Sequence, residues 1–118
     1  MNKVAIVILA KNGSKESLGR LVNAFEFAKE LKEFDDDVRI VFDGASVTFI
    51  PEIIKEDHYV HSLFSSVEDK IDGACKYCAD AFGVLNEVEE SDIKLLDDFD
   101  DHPSLRSYIQ EGYQIVTF

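Results

Sequence analysis

The chain has 118 residues, 46% of them hydrophobic, enough to bury one real core in one domain without disulfide staples. Its net charge of −12 repels phosphate backbones and anionic headgroups, which argues against nucleic-acid and membrane-surface partners. No apolar run reaches the ~20 residues of a membrane span and the first one, Val4 to Ala10, has no cleavage pattern after it, so a cytoplasmic, thiol-reducing setting is expected.

Lys3 to Ala10 reads KVAIVILA, a continuous β-branched and aliphatic run that predicts a central parallel strand covered on both faces. The loop Lys11-Asn12-Gly13-Ser14 follows, with Ser14 or Ser17 as helix cap. Apolar residues at Leu18, Leu21, Val22, Phe25, Ala28 and Leu31 form a helical stripe, which Asp35-Asp36-Asp37 ends. Val38 to Phe42 predicts a second strand and Asp43-Gly44 a turn. Val47, Ile50, Ile53 and Ile54 suggest a short helix with Pro51 in its first turn, and Val60, Leu63, Phe64, Val67 and Ile71 a second stripe. A short strand is expected around Ile71 to Cys75, then a helix over Cys78 to Phe82 ending at Gly83.

The segment Glu87 to Asp101 is dense in acid, with a fourth strand expected at Ile93 to Leu96. Pro103 suits the first position of a last helix capped by Asp101 or His102, with Leu105, Tyr108 and Ile109 facing inward and Gly112 ending it. Tyr113 to Phe118 predicts a fifth strand. Strands and helices alternate throughout, which implies an α/β domain spanning 1–118: three layers, α/β/α, around a mainly parallel five-stranded sheet.

In such sheets ligands bind beyond the carboxyl ends of the strands. The loops there are Lys11 to Ser14, Asp43 to Ser46, Cys75 to Cys78 and Asp97 to Pro103, and only one holds a strong nucleophile. Cys75 closes a strand and Cys78 follows about one helical turn later. Helix N–H groups would favour the Cys75 thiolate and lower its pKa, with Lys76 adding positive charge. Buried cysteines that merely pack are equally common, which leaves inert packing open. A zinc site needs about four ligands and no second C-x-x-C is present, so no metal is expected; His58 and His61 read as capping or solvent-facing residues. The Lys11–Ser14 loop lacks phosphate-loop glycine spacing and is expected to line the pocket of Cys75 at most. The acids Asp97, Asp98, Asp100 and Asp101 read as a solvated loop, and Asp43 takes no assigned role.

The stretch Ala74-Cys75-Lys76-Tyr77-Cys78-Ala79-Asp80-Ala81-Phe82-Gly83-Val84 resembles the cysteine motif of the DsrE/DsrF-like family, above all its YchN-like branch. Asn23-Ala24-Phe25 with Ala28 to Leu31, Phe42-Asp43-Gly44-Ala45, and Ile109 to Tyr113 are similar to further family segments, so the resemblance spans nearly the whole chain. It implies a flavodoxin-like fold, homo-oligomers (trimers or hexamers), no cofactor, and for some members a sulfur-relay role with a protein sulfur donor and acceptor. Cys75 matches the persulfide-carrying cysteine and Cys78 a second cysteine found in part of the family. Phe82 stands where an arginine is frequent, which removes one anion-binding charge. With Lys76, Lys11, Asn12 and Gly44 as candidate binding residues, three readings follow. They are a persulfide carrier on Cys75, a thiol–disulfide protein using Cys75 and Cys78, and a non-catalytic oligomeric binding module.

Overall fold

The computed structural model describes all of residues 1–118. Five strands, β1 (Lys3–Ile8), β2 (Asp37–Phe42), β3 (Ile71–Cys75), β4 (Leu95–Leu96) and β5 (Gln114–Thr117), form one sheet in the order β4-β3-β2-β1-β5. Every pairing is parallel. The helices are α1 (Lys15–Glu33), α2 (Ile50–Ile53), α3 (His61–Val67), α4 (Lys76–Ala81), α5 (Leu85–Glu90) and α6 (Leu105–Gln110), with 3-10 turns at Gly44–Phe49 and Glu68–Lys70.

Three successive crossovers step the same way across the sheet, from β1 to β4, and one returns to β5. Crossovers of one hand then place the first three sets of helices on one face and α6 on the other. The core follows that division. Val4, Ile6, Ile8, Val38, Ile40 and Phe42 from the strands pack with Leu21, Phe25, Ala28, Phe49, Phe64 and Val88 from the helices in one cluster. Ala5 and Val41 face the other way and meet Tyr108 and Tyr113 in a second, smaller one. Full burial of such side chains contributes about 1.5–3 kcal/mol each, so the first face carries most of the stability.

Local chemistry sets the boundaries. Ser14 caps α1, its Oγ accepting from the Ser17 N–H at 3.1 Å. Asp35 takes the left-handed conformation that stops α1. Gly73 sits in β3 because a Cβ there would collide with the Lys94 carbonyl and the Leu96 side chain, the backbone that brings β4 alongside.

Several expectations require correction. The last helix begins after Ser104, which caps it, and Pro103 precedes that cap rather than opening the helix. Ser104 has the free hydroxyl that accepts from the Ser107 N–H, which neither Asp101 nor His102 provides here. Ile109 is 63% exposed instead of inward-facing. Helix α5 was hidden in the acidic segment, where Val88 is its only fully buried residue. The acidic segment's strand shrinks to Leu95–Leu96.

Candidate functional site

The carboxyl ends of β2, β3 and β4, three adjacent strands, converge on one group of side chains. Cys75 is the last residue of β3 and the cap of α4; its Sγ accepts from the Cys78 N–H at 3.3 Å. Cys78 lies one turn on, its thiol 3.6 Å from Asp43 Oδ1. Asp43 follows β2 directly and caps the 3-10 turn, its Oδ1 accepting from the Gly44 N–H at 2.8 Å. His102, from the loop after β4, places Nδ1 3.3 Å from Cys75 Sγ. One donor atom from each of Asp43, Cys75, Cys78 and His102 lies within 4.8 Å of every other.

The supports of this group are equally specific. The single hydroxyl proton of buried Ser46 is shared between the carbonyls of Ile8 at 2.6 Å and Asp43 at 2.8 Å, which ties the ends of β1 and β2 together under the site. The loop carrying His102 turns through Asp100 and Asp101, both left-handed, with reciprocal hydrogen bonds between Phe99 and His102. Two consecutive left-handed residues suit glycine or asparagine better than aspartate, so the surroundings must hold this turn. They do: the Tyr77 N–H donates to the Asp101 carbonyl at 2.8 Å, and the Tyr77 and His102 rings lie 4.7 Å apart at 31°.

The sequence leaves Cys75 either as an activated thiolate open at a helix start or as a buried, packed thiol, and the structure buries it. Its side chain is completely buried, while Cys78 keeps 8% exposure. Burial, reinforced by the Cys78 side chain, pushes the Cys75 thiol up to about 12. The Cys78 backbone N–H acts in the opposite direction and is outweighed, since desolvation disfavours the thiolate more than one hydrogen bond stabilises it. The side chain of Lys76 reaches Asp97, 4.0 Å away, on the exposed side of α4.

The other candidates are dispersed. Gly44 adjoins the cysteines through Asp43, with φ of +52° at the turn. Lys11 and Asn12 line a separate shallow groove with Gly13, Ser14 and Ser17, which the cysteines do not enter. The Asn12 N–H there donates to Thr48 Oγ1 at 3.0 Å. His58 accepts from the Val60 N–H and His61 bonds the Ile53 carbonyl, and neither belongs to the group of donors around the cysteines. The sequence reading missed His102 as a site residue and gave Asp43 no part. Both sit in strand-end loops, the one signal that could have grouped them with the cysteines.

No family model matches the chain. An uncharacterised protein of Methanocaldococcus jannaschii is 32% identical over 115 residues, covering 97% of this chain and 93% of that one. Among solved structures, the ychN protein of E. coli superposes with a TM-score of 0.68 over 100% of both chains at 20% identity. A conserved protein of unknown function from Bacteroides thetaiotaomicron does so with a TM-score of 0.65, over 97% of this chain and 94% of that one, also at 20% identity.

Proposed function

We propose that this chain, which shares the fold of the ychN protein of E. coli, is a YchN-like member of the DsrE/DsrF-like family and carries sulfane sulfur on Cys75 as one component of a relay. The observation that supports this most is the 3.3 Å approach of His102 Nδ1 to Cys75 Sγ. A buried thiol that stays protonated needs a base beside it, and a cysteine paired with an imidazole is the usual solution.

The chemistry balances on a protein-bound persulfide as donor. Cys75 gives its proton to His102, in the tautomer whose Nδ1 is free. The thiolate attacks the outer sulfur of the donor persulfide; a new S–S bond forms at Cys75 and the donor's own S–S bond breaks, the donor leaving as a thiolate. Oxidation states are exchanged, and no external oxidant is needed. Because Cys75 is covered, the Phe99–Asp101 part of the turn has to lift for the donor to reach it while His102 stays beside the thiol. That turn is exposed and joined to the site by few bonds, as a cover needs to be. Homo-oligomerisation in a reducing compartment belongs to the same proposal. No helix of the chain is long and apolar enough to cross a membrane.

A second reading, reversible Cys75–Cys78 disulfide formation, is favoured by the proximity of the two sulfurs. One experiment separates the two. Reduced, folded protein is treated with a low-molecular-weight persulfide and weighed intact. The relay predicts a gain of about 32 Da that Cys75→Ser abolishes and Cys78→Ser retains; the disulfide predicts a loss of about 2 Da that either substitution abolishes. No gain in a sample with both thiols titratable would remove the relay reading.

A further inference from the structure

Cys75 and the three donors that surround it are more than an acid–base environment. We propose that Asp43, Cys75, Cys78 and His102 form a closed, four-coordinate site for a divalent transition metal of the zinc class. It goes beyond the relay reading: it shares the Cys75–His102 contact with that reading and adds the Cys78–Asp43 pair, which the relay does not use.

The argument begins with distances. A tetrahedral zinc ion with ordinary Zn–S, Zn–N and Zn–O bonds holds its donors about 3.3–3.8 Å apart. Cys75 Sγ and His102 Nδ1 are already 3.3 Å apart, and Cys78 Sγ and Asp43 Oδ1 3.6 Å. The longest separation in the set is within 4.8 Å, so closing the tetrahedron asks for a contraction of about 1 Å, within side-chain rotation. Two cysteines alone would not suffice. The fold supplies the missing pair from residues 35 positions before Cys78 and 27 after Cys75, a ligand set that no local motif displays.

Chemistry selects the metal. Two sulfurs and an imidazole are soft to borderline donors, which favour zinc and its neighbours over magnesium or calcium. The ion displaces both thiol protons on binding, so its affinity should rise with pH. The supports match those of ligated sites. The Cys78 N–H points at Cys75 Sγ, the Gly44 N–H holds the Asp43 carboxylate, and Tyr77 stacks on the His102 ring.

Four protein ligands and a fully buried Cys75 leave no open coordination position. The site is therefore of the kind that fastens structure, not the kind that activates water. It ties the loop after β4 to the ends of β2 and β3. An ion bound there would also keep Cys75 from any persulfide, so metal and sulfur would compete for one thiol.

The test is anaerobic titration of the reduced, full-length protein with Co2+. Expected are one ion per chain, tetrahedral d–d bands, and thiolate-to-cobalt charge transfer that one equivalent of Zn2+ abolishes. His102→Ala and Asp43→Asn should each weaken binding about tenfold or more, and Cys78→Ser should roughly halve the charge-transfer intensity. Zn2+ should protect both cysteines of the wild-type chain from alkylation, a readout that needs no variant to fold. Absence of charge transfer while both thiols titrate after unfolding overturns the proposal. So do bands indifferent to both His102→Ala and Asp43→Asn. Cobalt bands without persulfide uptake in metal-free protein leave the metal site standing and remove the relay; uptake without bands does the reverse.

Discussion

The ring of Tyr77 lies over that of His102 at 4.7 Å, and the imidazole beneath it is the one that touches Cys75. Tyr77 is 56% exposed, so its stacking serves the loop more than the core. Replacing it leaves the His102 turn with one backbone bond from residue 77 and two left-handed aspartates that favour other conformations. Tyr77→Ala is expected to speed alkylation of native Cys75 severalfold while lowering global stability by no more than about 1 kcal/mol. Mass-spectrometric alkylation rates beside urea midpoints check it. An unchanged Cys75 rate would show that the stack does not hold the cover.

The pH dependence of the same alkylation tests the electrostatics of the site. A thiol pushed up to about 12 presents little thiolate at neutrality. Below that value the reactive fraction grows about tenfold per pH unit, so the rate should climb steadily from pH 7 to 10 with no plateau near the ~8.5 of a free cysteine. Unfolded protein should plateau there and react faster at pH 7. A native plateau below pH 8 would restore the open, ionised thiol that the sequence led us to expect.

That expectation marks where legibility ended. The run Val4 to Ile8 announces a buried central strand because β-branched residues continue without interruption, and Ile71 to Cys75 was readable from its flanks. Helix α5 was not, since Leu85 and Val88 are its only inward anchors among acids and six residues give no full stripe. The cysteine pair was legible as chemistry; its burial was not. Cys75 is packed into the main core and touched by a turn 27 residues away, and nothing local in Cys75–Cys78 reports either. Asp43 and His102 were visible as residues in strand-end loops, but their distances to sulfur depend on the strand order β4-β3-β2, which places three loops side by side.

At the opposite, amino-terminal edge of the sheet, Asp37 accepts from the Tyr113 hydroxyl at 2.7 Å and from Arg39 at 3.0 Å. The tyrosine bond, then Arg39, holds the Asp37 carboxyl below its ordinary value against the opposing effect of burial. A depressed carboxylate pKa contributes stability that is present above the unfolded value of about 3.9 and is lost as pH falls through the folded one. The difference in urea midpoint between wild type and Asp37→Asn should therefore be constant from pH 7 to about 5 and narrow below about 4. A difference that stays the same down to pH 3 would contradict the assignment.

Gly73 joins the stability of the sheet to the integrity of the site. The Ala74 N–H donates to the Lys94 carbonyl at 2.8 Å, and that same carbonyl occupies the space a Cβ at residue 73 would need. Leu96 closes the space from the other side, with its Cγ 2.7 Å from the ideal Cβ position. Backbone on one side and a β4 side chain on the other leave no flexible group to yield, so Gly73→Ala should cost about 3 kcal/mol in a urea melt. Strand β4 is two residues long and pairs only with β3, so it should detach before the rest of the sheet loosens. Native-state hydrogen exchange should then show the Ala74 amide losing protection while those of Ile6 and Val41 in the central strands keep theirs. Because the loop after β4 carries His102, the same substitution should also free Cys75 to alkylation. Loss of Ala74 protection with Cys75 still sealed would mean that the His102 turn is held by Tyr77 alone, without the strand behind it.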